Sequence, residues 1–260
     1  MICGQVESAP SLSPATQAAT SVVIPEPIGS CDIMTAALLH RVSFLRFLTR
    51  FLVSVGLVVS GEPVGKETDF VDLEKHIQGI RVETPYATEN NFLKQAVYPA
   101  NRLYLRRSVA DRLALVQADL KTKGLGLKVL DGFRPLSVQR SMWKILPDSK
   151  YVANPAKGSR HNRGAAVDVT LVDAEGKELE MPTKFDDFSK AAHVDATTSN
   201  AQAAKNRATL QNAMKARGFQ SISTEWWHFD APDWQSFPIA DPTFDELAKG
   251  AEKQNIVVPK

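Results

Sequence analysis

Apolar residues recur at helical spacing in three segments of the chain. The first predicts a helix that begins at Arg106 or Ser108 and ends at Lys123. The second lies at residues 137–145, shortly after an Arg-Pro pair, and the third lies at residues 200–217. Glycine directly follows the first and third segments, as is common at the C-terminal end of a helix.

Other segments carry the pattern of strands. Residues 125–130 form a mostly apolar run, and residues 165–172 alternate small or polar side chains with β-branched ones. Residues 173–176 are typical of the turn that closes a hairpin. Residues 219–229 are aromatic and β-rich, and the tail beyond them is predicted to be irregular because three prolines interrupt it: Pro232, Pro238 and Pro242. Helices and strands mixed without regular βαβ alternation predict a single α+β domain, with helices flanking an antiparallel sheet.

Length and charge narrow the class of protein. At 260 residues the chain is long enough for one domain, or at most two, with its own core. The 31 Lys and Arg residues nearly balance the 29 Asp and Glu residues, so no basic excess points to a nucleic-acid partner. The sequence indicates no particular oligomeric state.

The first 61 residues predict a leader ahead of a domain at residues 62–260. Residues 1–33 are rich in Ser, Ala, Thr and Pro, which predicts a disordered start or a start site too far upstream. From Met34 the chain carries arginines and no acidic residue before an apolar run at residues 51–59, as in a secretory signal peptide. That run is too short for a stable membrane span, which needs about 20 residues. Export predicts a periplasmic or secreted protein; the alternative is an amphipathic helix packed on the domain, with a cytoplasmic location.

Cysteine is confined to the leader. Cys3 and Cys31 both lie there, and none occurs from Gly61 to Lys260. A metal site in the domain therefore has to be built from His, Asp and Glu rather than from thiolates.

The densest chemical signal consists of two short segments far apart in the chain. The first runs from Ser159 to Asp168 and includes His161, and the second is Glu225-Trp-Trp-His228. Hydrolytic zinc sites use three protein ligands drawn from His and carboxylates, and His161, Asp168 and His228 satisfy that count for one zinc ion per chain. Glu225 lies three residues before a ligand, where a carboxylate can activate the attacking water.

The spacing predicts how each residue reaches the site. We expect His161 in a loop that turns at Gly164, and Asp168 on the strand that follows. Glu225 and His228 are an odd number of residues apart, so a regular strand would place them on opposite faces. A bend at the two tryptophans between them is therefore expected if both serve one site.

Taken singly, several of these residues have simpler interpretations. An isolated His is more often a packed or surface residue than a ligand, and we interpret His76 and His193 that way, with His193 and Asp195 as a weaker alternative ligand pair. Arg134 either pairs with Asp131 or stabilises the oxyanion that forms when a carbonyl is attacked. The two segments together favour metal binding, because the tryptophans would otherwise bury charges that lack a partner.

Five blocks of this sequence together resemble the D-alanyl-D-alanine dipeptidases, zinc peptidases linked to vancomycin resistance and to the use of peptidoglycan dipeptides. The blocks are residues 86–92, 131–135, 159–168, 181–186 and 225–229. The third and fifth carry the zinc pattern, which D,D-carboxypeptidases share, whereas the first and fourth point to the dipeptidases. The implied fold is the small α+β zinc-peptidase fold shared with the hedgehog signalling domain.

The resemblance implies a role for several residues. By it, His161, Asp168 and His228 bind zinc. Glu225 serves as the general base and acid, and Arg134 steadies the scissile carbonyl.

Three further residues are implied to face the substrate. Tyr86, Ser159 and Asp186 fall where the dipeptidases contact the dipeptide, and Asp186 suits its free ammonium group. Pro182 stands where the family usually has glycine, which leaves the shape of the pocket open. The resemblance thus predicts a small peptide such as D-Ala-D-Ala as the substrate.

Two other functions compete with the dipeptidase. One is a D,D-carboxypeptidase that trims peptidoglycan stem peptides, and the other is a non-catalytic, zinc-stabilised module that binds cell-wall peptides. Glu225 argues against the second, because a structural zinc site needs neither a base nor an open position.

Overall fold

Seven strands form two sheets in the computed structural model, which describes Lys66 and residues 69–255. The strands are β1 (Phe70–Asp72), β2 (Arg81–Val82), β3 (Tyr104–Arg106), β4 (Leu125–Asp131), β5 (Ala166–Asp173), β6 (Gln220–Ser221) and β7 (His228–Asp230). The central sheet has the order β2-β4-β5-β7-β6, and β1 and β3 form a separate antiparallel pair. The predictions for the leader lie outside the described residues.

The α+β class is confirmed, and the sheet is antiparallel except at one edge. There β2 runs parallel to β4, which the prediction of an antiparallel sheet did not include. Both β4 and β5 begin and end within one residue of the predicted runs. The predicted turn after β5 is present, since the backbone N–H of Gly176 donates to the carbonyl of Asp173 at 3.0 Å.

Five α-helices accompany the sheets in the described part of the chain. They are α1 (Leu73–His76), α2 (Arg107–Lys121), α3 (Leu136–Ile145), α4 (Ala201–Ala216) and α5 (Phe244–Asn255). The bounds of α2, α3 and α4 agree with the predicted helices to within two residues. Asn200 caps α4, because its side chain accepts a hydrogen bond from the backbone N–H of Ala203.

Helix α5 shows that the prediction of an irregular tail was wrong beyond Pro242. Thr243 and Glu246 form a reciprocal capping box: the Glu246 N–H donates to Thr243 Oγ1, and the Thr243 N–H donates to Glu246 Oε2. Pro242 precedes this cap, so it does not interrupt any hydrogen bond of the helix. The Thr-x-x-Glu pattern was the sequence signal that the prolines obscured.

The two long helices pack over the central sheet. Helix α2 contacts β4 and α4, and α4 contacts β5. Val167, Val169 and Leu171 on one face of β5 join this apolar core, so the opposite face of β5 is available for other chemistry. Among the described helices, none has the length and apolar content needed to cross a membrane.

Leu113→Ala should lower the free energy of unfolding by about 2–5 kcal/mol, because Leu113 on α2 is fully buried and its loss leaves a cavity. Leu115→Ala on the same helix is the matched control, since half of Leu115 is exposed, and it should change stability by less than about 0.5 kcal/mol. Chemical denaturation measures both. Equal losses for the two variants would contradict the described packing of α2.

Candidate metal centre

Strand pairing brings two of the predicted ligands together. In the antiparallel pair of β5 and β7, Asp168 lies directly opposite His228. Asp168 projects from the face of β5 that is opposite the apolar core, as its even position predicts. Both residues are almost fully buried.

His161 reaches the same place from a short 3₁₀ turn, His161–Arg163, that precedes β5. Gly164 ends the turn with a φ of +68°, and a Cβ at this position would lie 2.5 Å from the ring of Phe70. Only glycine avoids both the backbone strain and the clash. The predicted loop that turns at Gly164 is therefore present.

Asn162 holds this turn in place from inside. It is fully buried, and its side-chain amide donates to the carbonyl of Arg134 at 2.8 Å. Its side-chain oxygen accepts from the backbone N–H of Ser159 at 2.7 Å. These bonds tie the turn to the segment after β4, which limits how far His161 can move.

Three potential ligand atoms converge at the centre of the site. His161 Nε2 lies 3.2 Å from His228 Nδ1, and Asp168 Oδ1 lies 2.9 Å from that same nitrogen and 3.5 Å from His161 Nε2. One such atom from each residue lies within 4.8 Å of the others. Within the described residues, no other group of His, Cys, Asp and Glu side chains meets this criterion.

The outer hydrogen bonds of the two imidazoles show that these atoms suit a cation. His161 Nδ1 lies 2.8 Å from the carbonyl of Gly132, and His228 Nε2 lies 3.0 Å from Asp230 Oδ1. Because a carbonyl and an ionised carboxylate only accept, these outer nitrogens carry protons, and the inner nitrogens are the ones that can present lone pairs when a metal cation replaces any proton there. Two lone pairs and a carboxylate oxygen then face one another, which is the donor set that divalent zinc prefers.

The electrostatics of the cluster favour positive charge. Burial by itself lowers the pKa of His228, but hydrogen bonds to Asp168 and Asp230 outweigh burial and raise the pKa to about 10. Burial raises the pKa of Asp168, but the imidazoles of His161 and His228 outweigh burial and hold the pKa well below its usual range. A metal cation would satisfy the same demand for positive charge.

Glu225 lies beside the cluster rather than in it. Its Oε2 is 4.0 Å from His228 Nδ1, and 28% of its side chain is exposed. The predicted bend is present at Trp226 and Trp227, directly before β7, and it places Glu225 and His228 on the same side. Burial raises the pKa of Glu225, although His228 opposes the shift.

Arg134 pairs with Asp131, as one of its two interpretations predicted. Its guanidinium pairs with the fully buried Asp131 at 2.5 Å and donates to Gln139 Oε1 at 3.0 Å. Asp131 also accepts from the hydroxyl of Tyr98 at 2.6 Å. These contacts hold Arg134 rigidly, and the same side chain lines the cavity at the cluster.

The predicted substrate-facing residues meet at the other side of the cavity. The Tyr86 hydroxyl donates to Asp186 Oδ2 at 3.0 Å, and Ser159 also lines the cavity. Asp186 has a φ of +58°, a strained conformation for a residue other than glycine. Burial raises the pKa of Asp186 well above its usual value, and the negative charge of Asp168 adds to the shift. A cationic group placed beside Asp186 would oppose both effects.

All eight predicted site residues line one cavity of about 470 Å³. Trp227 of the second predicted segment shares this cavity with four aromatic side chains that sequence reasoning did not place there, which are Phe92, Tyr151, Phe188 and Trp234. Phe188 makes edge contacts with the rings of Phe92 and Tyr151, at centroid distances of 5.1 and 4.9 Å. These residues come from separate loops, so no local pattern related them to the site.

The two histidines interpreted as ordinary residues lie outside the cluster. His76 Nε2 contacts Asp111 Oδ1 at 2.5 Å. His193 and Asp195 belong to no metal-type cluster in the described part of the chain, so this alternative ligand pair is not supported. Sequence reasoning also missed Asp230, although its position two residues after His228 on a strand places both on the same face.

Comparisons with known proteins agree with this geometry. Residues 66–249 match the family model described as D-ala-D-ala dipeptidase. A D-alanyl-D-alanine dipeptidase of Escherichia coli is 34% identical over 177 residues, which cover 68% of this chain and 92% of the relative. Relatives of the same name from Enterococcus faecalis and Streptomyces coelicolor are each 32% identical; their matches cover 64% and 66% of this chain, and 93% and 98% of those proteins.

Proposed function

The chain belongs to the D-Ala-D-Ala dipeptidase family of metallopeptidases, and from this premise we propose that it hydrolyses D-alanyl-D-alanine or a similarly small dipeptide. We further propose that His161, Asp168 and His228 hold one zinc ion and that Glu225 is the general base. The observation that carries the proposal is the convergence of the three ligand atoms, with a carboxylate 4.0 Å away that does not join them. A purely structural site has no use for that additional carboxylate.

Zinc, when bound, would supply a Lewis acid that lowers the pKa of a water molecule and polarises the scissile carbonyl. The ligand set fits zinc, because two neutral imidazoles and one carboxylate would leave a fourth coordination position open for water or substrate. The protein contributes the orientation of these groups through Gly132, Asp230 and the strand pairing of β5 with β7.

Glu225 would move the proton. Its Oε2 accepts a proton from the attacking water as the new C–O bond forms, and it then donates that proton to the leaving amine nitrogen as the amide C–N bond breaks. The side chain is partly exposed to the cavity, so it can reach the substrate, and its position just before β7 is fixed by the bend at Trp226.

Arg134 would stabilise the negative charge that develops on the carbonyl oxygen. Its contacts with Asp131 and Gln139 hold the guanidinium before the substrate arrives, so little reorganisation is needed during the reaction. This is the arrangement expected of a preorganised oxyanion donor.

Asp186 supports the dipeptidase over the carboxypeptidase. Its carboxylate lines the cavity beside Tyr86 and suits a free ammonium group, which a dipeptide carries next to the scissile bond. The third residue of a longer stem peptide would replace that ammonium with an amide, which offers no charge to Asp186. The free amine of the substrate is thus the feature that separates the two functions.

Asp186→Asn should raise the KM for D-Ala-D-Ala about 10- to 100-fold, because a charge-assisted hydrogen bond worth about 1.5–3 kcal/mol is lost. Steady-state kinetics on the zinc-loaded protein measure the change. Asp187→Asn alters the neighbouring carboxylate, which accepts from the backbone N–H of Ser189, and should leave KM nearly unchanged. Efficient cleavage of N-acetyl-D-Ala-D-Ala by the wild type would instead favour the carboxypeptidase.

A further inference from the structure

Asp230 links His228, one of the proposed metal ligands, to the guanidinium group of Arg160, which lies outside the cluster. It lies two residues after His228 on β7, so both side chains project from the same face. Its Oδ1 lies 3.0 Å from His228 Nε2, and its Oδ2 accepts from Arg160 Nη1 at 2.7 Å. The side chain of Asp230 is only 4% exposed, whereas 38% of the Arg160 side chain is exposed, so the carboxylate is buried while the guanidinium reaches the surface.

This arrangement determines which nitrogen of His228 faces the cluster. Nε2 donates to the carboxylate of Asp230, so Nδ1 is the nitrogen that points at the cluster and is left to bind a metal. The bond also holds the ring plane, since rotation about the side chain would break it. His161 is supported differently, because the nearest acceptor to its outer nitrogen is the neutral carbonyl of Gly132 at 2.8 Å, and the carboxylate of Asp131 lies farther away at 3.6 Å.

Arg160 keeps the carboxylate of Asp230 in position. Its guanidinium lies 4.7 Å from the centroid of the Trp234 ring, which supports it from another side. Arg160 directly precedes His161, and Asp230 follows His228 on β7. The ion pair therefore joins the two chain segments that carry the histidine ligands.

We infer that Asp230, held by Arg160, is a positioning residue that orients His228 for metal binding. This role rests on the proposed zinc site. Asp230 would add to the metal affinity beyond what the three ligands alone provide. Outer-shell partners of ligating histidines typically contribute about 10- to 100-fold in metal affinity. The ion pair with Arg160 also offsets the cost of burying the carboxylate.

The test is the affinity for zinc, measured by competition with a chromophoric chelator. Asp230→Asn should raise the Kd for zinc about 10- to 100-fold, because the amide replaces the anionic acceptor and faces Arg160 with a donor. The absorption spectrum of the Co²⁺-loaded variant should also shift, because the ligand field of His228 changes. At saturating zinc the KM for the dipeptide should stay near that of the wild type, because Asp230 does not line the cavity.

Asp72→Asn provides a matched control. Asp72 is paired with Arg102 at 2.5 Å, and its side chain is also 4% exposed, but Asp72 lies on β1, which belongs to the other sheet. This variant loses a comparable buried ion pair and should leave the Kd for zinc and the Co²⁺ spectrum unchanged. An equal loss of affinity in both variants would show a general effect on stability and would overturn the inference.

Arg160→Gln keeps the test decisive if circular dichroism shows that Asp230→Asn does not fold. This variant leaves Asp230 in place but removes the guanidinium group that pairs with it, so we expect a several-fold weaker affinity for zinc. Wild-type protein that binds no zinc would overturn the proposed function, and the inference with it. Wild-type protein that binds zinc, with both Asp230→Asn and Arg160→Gln binding it equally well, would overturn the inference alone.

Discussion

Glu225→Gln should lower kcat for D-Ala-D-Ala hydrolysis by about 10²- to 10⁴-fold while the zinc content stays at the wild-type level. Glutamine has nearly the same shape but cannot accept a proton from water or return it to the leaving nitrogen. Zinc should be retained because Glu225 lies beside the cluster, 4.0 Å from His228 Nδ1, and is not one of the three converging groups. Steady-state kinetics and metal analysis on the same preparation measure both quantities.

The control for this variant is Glu175→Gln, which makes the same chemical change in the exposed turn after β5. It should leave both kcat and zinc content unchanged. Glu225→Gln protein with wild-type turnover would rule out Glu225 as the base. A variant that lost zinc together with turnover would instead indicate that Glu225 contributes to metal binding.

His161→Ala should abolish stoichiometric zinc binding and lower kcat/KM by at least about 10³-fold, because the metal supplies several kcal/mol of transition-state stabilisation. The same result is expected for His228→Ala and Asp168→Ala. Metal analysis after dialysis gives the zinc content. Thermal unfolding gives an independent measure of zinc binding. Zinc should raise the Tm of the wild type because it binds preferentially to the folded state, and it should not raise the Tm of the variants.

His193→Ala and His76→Ala are the controls for loss of a histidine. Neither residue belongs to the cluster, so both variants should bind zinc as the wild type does. Comparable zinc content in the wild type and in the variants of His161, Asp168 and His228 would refute the ligand assignment. Zinc lost from the His193 variant as well would point to the alternative ligand pair.

Local patterns determined the helices and strands wherever one periodicity dominated. Helices α2 and α4 have long amphipathic stripes bounded by clear end signals. Strand β4 is a mostly apolar run, β5 alternates small or polar residues with β-branched ones, and turn residues follow both strands. The prediction was wrong for α5, where three prolines outweighed a capping box that spans only Thr243 to Glu246. It also missed the parallel pairing of β2, because a two-residue strand carries no periodicity from which its direction can be read.

The sequence by itself determined which residue types are available for chemistry. A domain without cysteine had to build a metal site from His, Asp and Glu, and the two short segments around His161 and His228 supplied the required set. The odd spacing of Glu225 and His228 also predicted a bend between them if both serve one site. These conclusions depend on chemical type and on spacing along the chain, which the sequence records directly.

Only the tertiary structure decided that these residues meet. The register of β5 against β7 places Asp168 opposite His228, and hydrogen bonds of Asn162 hold His161 beside them. The partnership of Asp230 with Arg160, and the aromatic rings that line the cavity, likewise join segments far apart in the chain. Such contacts depend on long-range packing and on strand register. Sequences with the same local pattern can pack and pair in different ways, so the local pattern does not determine these contacts.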